Sequence, residues 1–478
     1  GDDLVFLGGR QNEDGVGGIV LDNGKVSIRE KICYGLGDSS ANIFFGMTMM
    51  FLPYFYTDVV GISASAMGIL FLVARLVDAF SDPIIGNFAD KHETKYGHYR
   101  PFLLYLAIPY GLSCFFVFLA PDFSYTGKLI YAYVTYLFLI LMYASTVVPY
   151  VGLLSVLTDN PSERLAINSY RFPLAKSAFL LCSTVVPMFV ATYDKANEAQ
   201  AYSHAMIIIA TLAACCTLAC FFGTKERSKP ILVETKEKDT LFSKIKIIAK
   251  TKTLRSFYIF FALTQAAFTF KGSSAIYYAK YYLGQDEAYL TGLLSAFSIA
   301  GILAPIVAMF LIKRNVFNKL TMLKVATLGA GIMALPIIFI PSEYYILSSI
   351  FLIMSTFFGE LGIVVYWALP ADCADFCELK FNKKMAGVLG AVALFSQKFA
   401  MSIVGVGIGA VLSFVNYQPN GIVTSEVSLG IITIVAILPI ICHFVSYYFL
   451  NQYDLDETEV RKIHFELAGM YEQARKLK

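Results

Sequence analysis

Residues 74–101 read ARLVDAFSDPIIGNFADKHETKYGHYRP. The stretch opens inside an apolar run, yet carries Arg75, Asp78 and Asp82 before any polar loop begins. On a helix these positions, three and four apart, project from one face. If the run crosses a membrane, each charged side chain at mid-bilayer costs about 2.5–3.5 kcal/mol and must face a partner or water. Two carboxylates one turn apart also repel each other unless something positive lies between them. A monovalent cation, a shared proton or a basic side chain would each serve.

The composition favours the membrane. Of 478 residues, 57% are hydrophobic and 15% charged, against about 25% charged in soluble domains, and the mean hydropathy is +0.62. A net charge of +3 gives no support to nucleic-acid binding. The nine cysteines lie mostly in apolar runs without CxxC spacing, which reads as buried thiols rather than metal ligands or disulfides. No GxSxG, Walker A or HExxH sequence occurs, so no enzyme and no cofactor are expected. GLGD at 35–38 matches an intramembrane aspartyl protease pattern, but the Tyr-Asp pairs at 193–194 and 453–454 fall at loops or span ends.

A helical span needs about 20 mostly apolar residues. Such runs recur near 33–57, 62–89, 101–120, 128–158, 166–193, 202–224, 254–283, 288–312, 319–340, 343–371, 384–416 and 425–450. The expected fold is therefore an all-α integral membrane protein of about twelve helices. Lys and Arg collect in the loops 90–100, 159–165, 313–319 and 372–383 and in the central segment, while TDVVG, PDFSYTG and GQDEA carry none. The positive-inside rule then puts both termini in the cytoplasm of a multi-pass protein of the cell membrane. Two pseudo-repeated six-helix halves, 31–224 and 254–450, flank a basic cytoplasmic linker, 225–253, the layout of major-facilitator carriers. Residues 1–30 are Gly-rich and acidic without the order of a signal peptide, and are expected to form a cytoplasmic tail. Residues 451–478 have the periodicity of a cytoplasmic amphipathic helix.

Further charges lie inside the spans. Lys398 stands in AVALFSQKFAMSIVG without a local acid, and is the natural counterweight to Asp78 and Asp82 if the halves face one another. Arg171, Lys176, Lys271 and Glu360 also need partners or a path to the interface. Polar-tipped aromatic residues in central positions, Tyr54, Tyr150, Tyr170, Tyr366 and Trp367, offer ring surfaces for a sugar. Gln397, beside Lys398, joins the substrate-binding candidates.

At this point YFYTDVVGISASAMGILFLVARLVDAFSDPIIGNFADKHETKYGHYRP closely resembles the first three spans of the glycoside–pentoside–hexuronide:cation symporters, the group of the melibiose and glucuronide carriers. YGLGD, VVPYVGLLSVLTDNPSERL, YRF, ADCADFCELK and the lone Lys398 extend the resemblance over nearly the whole chain after residue 30. It implies a major facilitator fold and sugar uptake driven by Na+ or H+. It also implies that Asp78 and Asp82 hold the coupling cation, as Na+ ligands if sodium is used, with Lys398 close by and Arg171 contributing to sugar binding. The chain departs from the melibiose carrier at Asn42, where that carrier has a sugar-gripping aspartate, at Val147, which replaces a second, and at Ala144, which replaces a cation-coordinating threonine. These changes argue against a galactoside clamp of that kind and against Na+ as the obligatory ion. With Arg171 kept and Lys271 added, the cavity shifts toward positive, which suits a uronide; a bulkier oligosaccharide held by Asn42 and aromatic rings is the other reading.

The expected mechanism is alternating access by rocking of the two halves in a single chain, with sugar and bilayer as partners. Asp90, Lys91, Arg100, Arg164 and Asp375 are expected to form a cytoplasmic gate of ion pairs, each contributing about 0–1 kcal/mol. An uncoupled facilitator or an exporter of another amphipathic solute is the rival reading.

Overall fold

The computed structural model describes residues 26–91, 93–158, 161–227, 241–382 and 385–460, with 462–463 and 465–466 beyond them. The expected N-terminal tail up to residue 25, residues 228–240 of the basic linker, and residues 461, 464 and 467–478 of the C-terminal helix lie outside the described residues. Among the described residues, regular structure is helical, apart from one isolated bridge between Thr94 and Gly97.

The first six crossing helices are α1 (Ile28–Val60), α2 (Ala64–Lys91), α3 (Arg100–Val117), α4 (Tyr125–Leu157), α5 (Pro161–Val190) and α6 (Glu198–Gly223). After a short helix at Leu241–Lys250 come α7 (Lys252–Tyr277), α8 (Glu287–Lys313), α9 (Lys319–Ala334), α10 (Ser342–Phe381), α11 (Ala386–Phe414) and α12 (Ser425–Leu450). Eleven of the twelve are long and apolar enough to cross a membrane by length and composition. The remaining one, α7, carries Gln265, Lys271, Ser273 and Ser274, all buried inside the protein.

Helix starts follow capping chemistry. Ser27, Ser124, Asp286, Asn318 and Thr424 each accept a backbone N–H from the first turn of α1, α4, α8, α9 and α12, a link that typically contributes about 1 kcal/mol. Pro161 begins α5, so that helix starts inside the loop expected at 159–165; proline at the first helical position loses no bond. The loop expected at 372–383 is also mostly helix, because α10 runs on to Phe381 and ends at Asn382 with φ 52°. Its acids interrupt the apolar run, but Leu369, Cys373 and Cys377 share one buried face.

Pro53 cannot donate to the carbonyl of Met49. Wider turns at Met47–Phe51 and Phe55–Val60 flank it, and the Ser273 hydroxyl of α7 donates to the Met49 oxygen at 2.8 Å. A side chain of the second half thus bonds the backbone of the first beside this proline.

Within the first half α1 packs on α5 and α6, and α3 on α4 and α6; within the second, α7 packs on α12 and α8 on α10. The halves meet through α2 against α11 and α5 against α8. Shifting every number by six exchanges those two junctions, as a pseudo-repeat requires. One apolar core, including Met50, Phe55, Ile276 and Val435, joins both halves toward the end that carries Gly61 and Gly284. Toward the end that carries the start of α1, the core divides into one cluster around Tyr34 and Leu153 and another around Phe257 and Leu389. The first end is called distal below and the second terminal.

Candidate functional site

At the α2–α11 junction, Asp78 is fully buried and its Oδ2 lies 3.2 Å from Arg75 Nη1. Lys398 Nζ lies 3.0 Å from Asp78 Oδ1 and also bonds Asp82. Two acids and two bases therefore balance with no outside ion. This packing is close because glycine permits it: a Cβ on Gly409 would fall 2.3 Å from the Ala64 carbonyl oxygen, and one on Gly68 3.1 Å from Val406 Cα. Small residues commonly bring membrane helices together in this way. A buried oxygen of Asp82, Oδ1, has no hydrogen-bond partner among the described residues. The acid pair can thus offer oxygens to a small cation or take a proton, and either would compete with Lys398.

Asn42, Tyr150 and Arg171 come together between α1, α4 and α5. Arg171 Nε donates to Asp38 Oδ2 at 2.8 Å, and its Nη2 donates to Oδ1 at 3.4 Å. Asn42 Nδ2 donates to the Asp38 carbonyl at 2.9 Å, and the Tyr150 hydroxyl to the Tyr34 carbonyl at 3.0 Å. Arg171 also sits 5.8 Å from the centre of the Tyr150 ring. Asp38 is the partner that sequence reading missed; a negative charge on α1, four helices before YRF, leaves no sequence pattern.

In the second half, Lys271 on α7, Glu360 and Tyr366 on α10 and His443 on α12 line one cleft. Lys176 of α5 reaches across the interface to Glu360 at 3.1 Å. Trp367 instead packs edge-on against Phe261 in the second half's terminal core, and Gln397 is half-buried next to Lys398. His443 was not foreseen, since a lone histidine in a long apolar run gives no spacing signal.

Of the expected gate residues, Arg100 does not reach the opposite half in this structure. Its Nη2 donates to the Phe221 carbonyl at 2.9 Å, where the last carbonyls of α6 need donors. Glu226 accepts the N–H groups of His98, Tyr99 and Arg100 at 2.8, 2.8 and 2.9 Å and so caps α3. Asp375 is half-buried on α10, and the side chains of Asp90, Lys91 and Arg164 fall outside the described residues.

The distal end carries bonds between the halves that the sequence reading did not anticipate. Asp58 of α1 accepts from Tyr281 and, at 2.6 Å, from Tyr417. Burial first, and the Asp58 carboxylate next, push the Tyr417 phenol above its ordinary range, so it stays a donor. Thr57 bonds Tyr277 at 2.8 Å, while Lys280 bonds the Tyr54 hydroxyl at 2.8 Å, Glu198 at 3.3 Å and Glu287 at 2.5 Å. Tyr54 is therefore part of this closure.

Twelve crossing helices in two halves, with charged side chains meeting along the interface, define a membrane carrier of the major facilitator type. Residues 33–457 match the family described as MFS/sugar transport protein, and the chain belongs to it, within the glycoside–pentoside–hexuronide:cation symporter group. It is 32% identical over 444 residues to the putative glycoside/cation symporter YagG of Escherichia coli K12, covering 93% of this chain and 95% of that one. It is 33% identical over 454 residues to the uncharacterized symporter YnaJ of Bacillus subtilis 168, covering 93% and 96%. The fold is similar to a crystal structure of a D-xylose-proton symporter, with a TM-score of 0.64 at 12% identity over 90% of this chain and 98% of that chain. The chain is a sugar-transporter relative and not an enzyme.

Proposed function

We propose that the protein takes up a sugar, as a glycoside, uronide or oligosaccharide, together with Na+ or H+, by alternating access in the cell membrane. The terminal end faces the cytoplasm in this reading, and a single chain suffices. The observation that carries it is the bridge from Lys398 to Asp78 and Asp82, because it ties the fit between the halves to the charge state of a carboxylate pair. A cation or proton entering the pair releases Lys398, loosens the α2–α11 junction and favours the arrangement that binds sugar. The likeness to the putative glycoside/cation symporter YagG supports both the substrate class and the coupling.

The coupling required is ordinary, about 1–3 kcal/mol, and must be reciprocal. Each positive charge entering down a potential of about 100 mV supplies about 2.3 kcal/mol. The test is a binding screen of glycosides and uronides on the purified protein, with and without Na+ at two pH values. A symporter shows sugar affinity that rises with Na+ or with protons; affinity indifferent to both rejects the coupling.

A further inference from the structure

Lys271 is 3% exposed and, among the described residues, its ammonium bonds neutral groups, the carbonyl and hydroxyl oxygens of Ser355 at 3.3 Å each and His443 Nε2 at 3.4 Å. Charge-assisted N–H···O bonds usually close to about 2.7–2.9 Å, so none of these is a counter-charge. Glu360, which lines the same cleft, is already held by Lys176 at 3.1 Å. Glu360 also attracts Lys271 through space, so two ammonium groups share one carboxylate, and the surplus positive charge is costly when buried.

His443 is held as an acceptor. An ammonium can only donate, so the Nε2 that meets Lys271 accepts, and the proton of the neutral ring sits on Nδ1. That Nδ1 is buried without a hydrogen-bond partner among the described residues.

A neighbouring cavity lies between the halves, lined by Met49, Phe179 and Lys176 of the first and by Phe268, Lys271 and Glu360 of the second, and Phe268, Lys271 and Glu360 also line the second-half cleft, so the two adjoin. Glycines leave the cations open on one side: a Cβ on Gly359 would lie 3.7 Å from Lys271 Nζ, and one on Gly301 3.5 Å from Lys176 Nζ. The α5–α8 junction beside it is the pseudo-repeat counterpart of α2–α11. One junction carries paired acids; near the other, positive charge is in surplus.

We propose that this place, where the two cavities adjoin, is an anion subsite, in which Lys271, with Lys176, takes the carboxylate or sulfonate of an acidic sugar. This deepens the sugar-carrier reading and rests on it. The acid group supplies the missing counter-charge, and the sugar ring extends toward Phe268 and Tyr366. A neutral glycoside leaves the surplus positive charge unbalanced.

The test uses the full chain in proteoliposomes with three matched probes: methyl β-glucoside, methyl β-glucuronide and the 6-sulfonate analogue of the glucoside. The wild type should prefer at least one acidic probe by about tenfold or more, and Lys271→Gln should reduce that acid-to-neutral ratio to within about threefold. Lys271→Arg keeps the charge and should keep the preference, which separates recognition from a fold defect. A wild type that takes the neutral probe as well as both acids overturns the subsite, as does a Lys271→Gln protein with an unchanged acid-to-neutral ratio. Ion-driven uptake of the neutral probe with the acids refused rejects the subsite and leaves symport standing. Uptake of acids that ignores every ion gradient supports the subsite and rejects symport.

Discussion

One ammonium from the second half, Lys398 Nζ, touches both carboxylates of the first, at 3.0 Å from Asp78 Oδ1 and in direct contact with Asp82. Removing one partner from a buried ion pair typically costs about 3–5 kcal/mol. Lys398→Ala should therefore lower the thermal midpoint of the purified protein in Na+-free buffer and reduce net uptake by about tenfold or more. Differential scanning fluorimetry and transport in vesicles check the two effects. An unchanged midpoint and rate would mean that the bridge is incidental.

Asp58 joins α1 to Tyr281 and Tyr417 of the second half. Hydrogen bonds to charged groups contribute about 1.5–3 kcal/mol each. Replacing both tyrosines with Phe should shift the population toward a form open at the distal end. Hydrogen exchange should then rise in peptides covering 55–60 and 278–282, while the start of α1 stays protected.

Gly409→Ala places a methyl group where the Ala64 carbonyl oxygen lies 2.3 Å away. Overpacking of this kind costs about 1–3 kcal/mol, and here it should act only on the distally closed state. The variant should insert and fold, bind sugar, and fail to complete the transport cycle. Normal net uptake would show that α2 and α11 do not need this approach.

Glu226 caps α3 with three backbone hydrogen bonds from 98–100. Glu226→Ala leaves those donors to water, and a lost cap typically costs about 0.5–2 kcal/mol. A lower thermal midpoint with ion dependence unchanged is expected, read by the same fluorimetry with and without Na+.

The helical class and the two-half plan were legible because apolar run length and Lys/Arg placement are local signals. Lys398 could be matched to Asp78 and Asp82 because a lone charge in lipid demands a partner. Other partners were hidden: Asp38 for Arg171, Glu360 for Lys176 and the tyrosines around Asp58 come from distant helices, and only packing brings them together. The acids of ADCADFCELK masked a helix whose buried face is set by Leu369, Cys373 and Cys377. The bond from Arg100 to the Phe221 carbonyl was hidden as well, because it depends on where α6 ends.

The most direct measurement is glycoside accumulation in proteoliposomes under an imposed Na+ or proton gradient, with wild type and Asp82→Asn side by side. Coupling through the acid pair predicts accumulation above the outside concentration by the wild type under at least one gradient, and equilibration at best by Asp82→Asn. Wild type that only equilibrates under every gradient, or Asp82→Asn that accumulates as well as wild type, would contradict it.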